Sequence, residues 1–118
     1  MLVNFEDITF NISNSDKKIA ESILKLLLKT NKNKRITSKD IVFSLSKKFK
    51  IPEVKVRVLI NSIRQSGKYG IVGTSKGYYI SNDIEDIMKA IKSQTMRISQ
   101  QNRALEGMKE YLYSLIKW

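Results

Sequence analysis

The chain has 118 residues, a formal net charge of +11, and neither cysteine nor histidine. That inventory excludes disulfides, thiolate or imidazole zinc sites and every Cys/His or Ser/His nucleophile arrangement. With 42% hydrophobic and 28% charged residues, it is an ordinary soluble composition, long enough for one core and an appended helix but not for two full domains.

No clustered carboxylates offer an oxygen-ligand metal site, so no cofactor, no metal and no enzymatic activity are expected. The longest apolar stretch, around Ile23 to Leu28, is interrupted by Lys25 and does not span a membrane. The first residues carry Glu6 and Asp7 and lack a basic segment, which is not the pattern of a signal peptide. The cytoplasm is the expected compartment, and no small-molecule substrate is evident.

In chain order, residues 1–15 form the first segment. There Val3, Phe5, Ile8, Phe10 and Ile12 fall at mostly two-residue spacing, which predicts a short strand or extended arm although Asp7 and Ile8 break the alternation. Asn14 or Ser15 is placed to cap a helix from Asp16 to about Thr30. Ile19, Ile23 and Leu27 form one row on it, with Ala20, Leu24 and Leu28 beside them, giving a core-facing stripe. Asn31 to Lys34 is a polar turn, and Arg35-Ile36 suffices only for a stub of strand.

Thr37 followed by Asp40 resembles a capping box and opens a second helix from Ser38 to about Phe49, with Ile41, Val42, Leu45 and Phe49 facing inward. Pro52 begins a third helix, where proline is tolerated, and Gly67 stops it after Ser66. Ile71 to Thr74 and Tyr78 to Ile80, joined by Ser75-Lys76-Gly77, predict a β-hairpin. Tyr78 and Tyr79 alternate across that strand, so one is expected in the core and the other outside. Gly70-Ile-Val-Gly73 has neither the lysine nor the preceding buried strand of a phosphate loop. Ser81-Asn82-Asp83 caps a final helix whose first turn is acidic. The fold class is therefore mainly α with a small β-hairpin.

The charge is not spread evenly. Lys29 to Lys76 hold thirteen basic residues against Asp40 and Glu53, while the remaining seventy residues balance nine basic against nine acidic. A polyanion is the natural partner of such a segment, because each neutralised phosphate releases condensed counterions.

Three stretches within residues 16–81 carry a resemblance: Ile36-Thr-Ser-Lys-Asp-Ile41, Val56-Arg-Val-Leu-Ile-Asn-Ser-Ile-Arg-Gln-Ser-Gly67 and Gly70-Ile-Val-Gly-Thr-Ser-Lys-Gly-Tyr-Tyr-Ile80. Together they resemble the winged helix-turn-helix domain of small phage proteins and bacterial regulators, in which a helix ending in Arg-x-x-Gly leads into a wing ending in Gly-Tyr-Tyr. The resemblance implies a third helix in the major groove of duplex DNA and a hairpin wing on the backbone. Winged helices also bind RNA or proteins, so it speaks more to fold than to role.

At about 100° per residue, Val56, Leu59, Ile60 and Ile63 share one arc of the third helix. The opposite arc holds Val54, Val58, Asn61, Ser62 and Gln65, with Lys55, Arg57 and Arg64 on its shoulders. Amides and guanidiniums read base edges, and valine meets thymine methyls. The candidate base contacts are thus Lys55, Arg57, Val58, Asn61, Arg64 and Gln65. Two alternatives stand beside them: Arg57 pairs with Glu53 one turn away, and Val54 packs on the second helix. Candidate backbone contacts are Lys34 and Arg35, Ser38 and Lys39 in the first turn of the second helix, and Thr74, Ser75 and Lys76 in the wing turn.

From Ile84 the spacing is heptad. One position reads Ile84, Ile91, Ile98, Leu105, Leu112 and the other Ile87, Gln94, Gln101, Met108, Leu115. Residues 82–118 are therefore read as a coiled-coil helix, with Ile91, Ile98, Leu105, Met108 and Leu112 as homodimerisation residues. The competing architecture breaks near Gly107 and folds back. The combined expectation is a homodimeric, sequence-specific double-stranded DNA-binding protein acting as a transcriptional regulator. A replication or recombination accessory factor and a protein-interaction adaptor working through the last helix are the alternatives.

Overall fold

The computed structural model describes residues 14–116, so the expected strand or arm on Val3, Phe5, Ile8, Phe10 and Ile12 lies outside the described residues. Six elements follow in order: α1 (Asn14–Leu27), α2 (Ser38–Leu45), α3 (Glu53–Gln65), β1 (Ile71–Thr74), β2 (Gly77–Ile80) and α4 (Ile84–Ile116). The protein is mainly helical with one small antiparallel hairpin, as the periodicities predict. It divides into two units, the first ending at Asn82 and the second beginning at Asp83. None of the described helices is long and apolar enough to cross a membrane.

In the first unit, α1 to α3 each turn one stripe inward. Ile19, Ile23 and Leu27 of α1, Ile41 and Leu45 of α2, and Val56, Leu59 and Ile60 of α3 are buried together with Ile71. Val42, Phe49 and Ile63 pack partly buried against them. The expected row Ile19, Ile23 and Leu27 of α1 is the core row and Ala20 packs beside it, but the flank differs from the expected one. Leu26 rather than Leu24 or Leu28 flanks the core, and Leu28 is 55% exposed. The chain leaves the helix there because the Thr30 hydroxyl donates to the Leu27 carbonyl (2.5 Å) and accepts the Ile80 N–H (3.1 Å), which ends α1 early and ties it to β2. Asn14 and Ser15 are themselves helical, so neither is the residue that precedes α1.

Local rules account for the other helix ends. Thr37 and Asp40 form the expected capping box, each side chain accepting the other's backbone N–H at 3.1 Å. α2 ends at Leu45, not Phe49, because the N–H and hydroxyl of Ser46 both donate to the Phe43 carbonyl and tighten the turn. Pro52 is the residue before α3 rather than its first helical residue, with extended backbone at ψ 162°. Gly67 follows the helix at φ 72°, a conformation that costs glycine little.

The hairpin pairs Ile71 with Ile80, Val72 with Tyr79, Gly73 with Tyr78 and Thr74 with Gly77. Ile36 bridges the other edge of β2 through reciprocal bonds with Tyr78 of 3.0 and 2.7 Å, so the predicted stub is real. A Cβ on Gly77 would stand 2.8 Å from the Ile36 carbonyl oxygen, and Gly77 has φ 123°; only glycine fits where the stub crosses the wing. Tyr79 is buried, and Tyr78 is half-buried against the helical core rather than outside it.

In its described residues the second unit is a single helix. α4 runs 33 residues, about 50 Å at 1.5 Å per residue, and passes through Gly107 unbroken. The expected alternative of a break at that glycine is not observed. Asp83 caps the helix by accepting the Glu85 N–H (3.1 Å). No residue of α4 is buried.

Candidate functional site

The faces of α3 follow from its period. With Val56, Leu59 and Ile60 directed inward, residues displaced by about half a turn must point out, and Val54, Arg57, Val58, Asn61 and Gln65 are exposed. Val54 and Val58 are 63% and 57% exposed. Val54 therefore protrudes instead of packing on α2, since it sits about 200° round the helix from Val56.

The amino ends of α2 and α3 are joined by one carboxylate. Oε1 of Glu53 accepts the Ser38 hydroxyl at 2.9 Å and the Arg57 guanidinium at 3.5 Å. Ser38 thus spends its hydroxyl proton inside the protein, leaving Lys39, which is exposed, as the outward side chain of that turn. The same carboxylate holds Arg57 along the edge of the outer face. The Asp40 carboxylate is held below the usual aspartate range, chiefly by the Thr37 backbone N–H and then by its hydroxyl.

The wing turn reaches the start of α2 through Arg35. Its Nε donates to the Lys32 carbonyl (2.9 Å), NH1 donates to Thr74 Oγ1 (3.0 Å), and the guanidinium lies 4.8 Å above the Tyr79 ring. Thr74 Oγ1 also accepts the Lys76 N–H (3.2 Å) and donates to the Gly77 carbonyl (2.9 Å). One donor and two acceptor sites are all a hydroxyl has, so Thr74 shapes the turn and has no capacity left for a phosphate. Ser75 and Lys76 are exposed at its tip. Lys34 is exposed at the end of a tight turn in which Asn31 Oδ1 accepts the Asn33 and Lys34 N–H groups. Lys34, Arg35, Ser38, Lys39, Thr74, Ser75 and Lys76 are therefore gathered around one junction.

Two candidate base contacts instead tie separate elements of the protein together. Nζ of Lys55 pairs with Asp16 at 2.9 Å, tying α3 to α1 on the shoulder opposite Arg57. Arg64 is half-buried between α3 and the hairpin, its Nε donating to the Ile71 carbonyl (3.2 Å) and its guanidinium 5.9 Å from the Tyr78 ring. Gly73 makes room for it, since a Cβ there would meet its NH2 at 2.9 Å. NH1 of Arg64 donates to Asn61 Oδ1 (3.1 Å). A guanidinium only donates, so this bond fixes which end of the Asn61 amide is engaged and turns its NH2 away from Arg64.

Both acids of the basic segment are thus occupied at helix starts, while nine of its ten lysines, all but Lys55, are exposed. Phe43, 80% exposed on α2, is an apolar group that periodicity left unassigned; its angle, about 200° from both inward-facing Ile41 and Leu45, was the available signal. Among the described residues no three His, Cys, Asp or Glu side chains are grouped to hold a metal. Comparisons with protein-family models, with curated proteins and with solved structures return no match.

Proposed function

We propose that residues 16–81 act as a winged helix-turn-helix domain that binds double-stranded DNA, with α3 in the major groove and the β1–β2 turn on the phosphate backbone. The observation that carries this reading is the outer face of α3. It presents an amide at Asn61, a second at Gln65, a tethered guanidinium at Arg57 and two methyl-bearing side chains at Val54 and Val58, on a segment whose other side is core. Such groups match the donor, acceptor and methyl pattern of the major groove. Lys34, Lys39, Ser75 and Lys76 supply backbone contacts, and Arg35, Lys55, Arg64 and Thr74 hold the elements in place. The protein is then a non-enzymatic, cytoplasmic regulator of transcription.

Binding to random-sequence duplex tests this. Affinity is expected to fall by one or more orders of magnitude between roughly 50 and 200 mM salt, the behaviour of a protein that displaces several counterions. Absent or salt-insensitive binding favours a second reading, an adaptor acting through α4, which the exposed apolar stripe of that helix supports.

A further inference from the structure

We propose that α4 pairs with α4 of a second copy of this chain as a parallel, in-register coiled coil whose direction is set by amide layers at Gln94 and Gln101. This inference does not depend on duplex binding.

Every residue from 91 to 116 is exposed, including Ile91 (60%), Ile98 (54%), Leu105 (48%) and Leu112 (51%) on one side of the helix. These recur every seven residues. On a straight helix such a row drifts about 20° per heptad, so over this length it stays against a partner that supercoils with it, which means another helix. Eight of the ten seam positions are apolar. With each covering on the order of 100 Å², pairing buries roughly 800 Å² per helix, the share one partner contributes to a standard stable interface.

The two polar seam positions select the occupant and its direction. In a parallel pair each position faces its own copy, so Gln94 meets Gln94 and Gln101 meets Gln101, and amide can bond to amide. Antiparallel pairing with full overlap sets Gln101 opposite Ile98 and Gln94 opposite Leu105, burying amides against hydrocarbon without partners. A partner helix of uniform apolar seam leaves the same amides unpaired. The flanks accept the parallel arrangement: Arg97 falls beside Asn102 of the second copy and Lys109 beside Ala104, with no like charges opposed.

Because the chain has no cysteine, single thiols report direction cleanly. Ile91→Cys and Met108→Cys are prepared separately in the full chain, with helicity verified by circular dichroism, and oxidised mildly alone and as a mixture. Each variant alone is expected to form a disulfide-linked pair, and sedimentation of the wild type is expected to give twice the 13.6 kDa chain mass. Leu105→Glu should return the mass to that of one chain with the first unit still folded. Crosslinking only in the mixture would overturn the parallel direction. A wild-type monomer at tens of micromolar would overturn the pairing altogether.

Discussion

Among its described residues the first unit buries eleven apolar side chains, whereas α4, longer than α1 to α3 individually by more than twofold, buries none. Helices of 8 to 14 residues, the range spanned by α1 to α3, are marginal in water and exist because a shared core holds them. α4 draws on length, an acid-rich first turn and the i,i+3 pair of Lys109 with Glu106 at 3.3 Å. One unit is stabilised by what it covers; the other keeps a seam available for something else to cover.

Substitutions separate the two regimes. Ile60→Ala in the core should lower the stability of the first unit by about 2–5 kcal/mol, read as a large drop in its thermal midpoint. Leu105→Ala should leave that transition in place. Equal effects would mean that the units do not melt independently. Glycine to alanine should act with opposite signs. At Gly77 the positive φ and the Ile36 carbonyl oppose a side chain, and a loss of about 1–3 kcal/mol is expected. At Gly107 nothing beyond the adjoining helix backbone lies within 4 Å of an added Cβ, and α4 should gain roughly 0.5–1 kcal/mol of helix stability, seen as higher helicity on heating.

A comparably small effect concerns the start of α2. Thr37→Ala should cost about 1 kcal/mol through loss of the cap. Since the folded Asp40 carboxyl titrates below its unfolded value, its contribution is present above roughly pH 4, the ordinary aspartate range, and fades as pH falls through the lowered value. Asp40→Asn should flatten that part of the acid limb in an unfolding series. An unchanged acid limb would show that the cap carries no charge-dependent stability.

Which features were legible in the sequence follows from how local their causes are. The capping box, the stop at Gly67 and the inward and outward arcs of α3 depend on neighbours within a few residues, and periodicity reveals them. The turn joining β1 and β2 was legible from its Gly and Ser residues. The partners of the cations were not. Lys55 with Asp16 and Arg35 with Thr74 are both 39 residues apart in the chain, and nothing in a helical wheel distinguishes a shoulder facing solvent from one facing another helix. The Arg64 bond to Ile71 likewise depends on how the hairpin folds against α3. Hence two of the three cations assigned to base contact from their angle, Lys55 and Arg64, join elements of the protein together. The early end of α2 rests on one competing hydroxyl, Ser46, which periodicity does not register.

Selection of bound fragments from a random duplex pool, with wild type and with Asn61→Ala/Gln65→Ala compared against Lys39→Ala/Lys76→Ala, tests the role of the α3 face most directly. The amide pair should relax base preference, by about 1–3 kcal/mol per lost contact, while the lysine pair should weaken all sequences alike and lower the salt slope by about one per contact. Identical behaviour of the two pairs, or an unaltered selected sequence after removal of both amides, would contradict the placement of α3 against the bases.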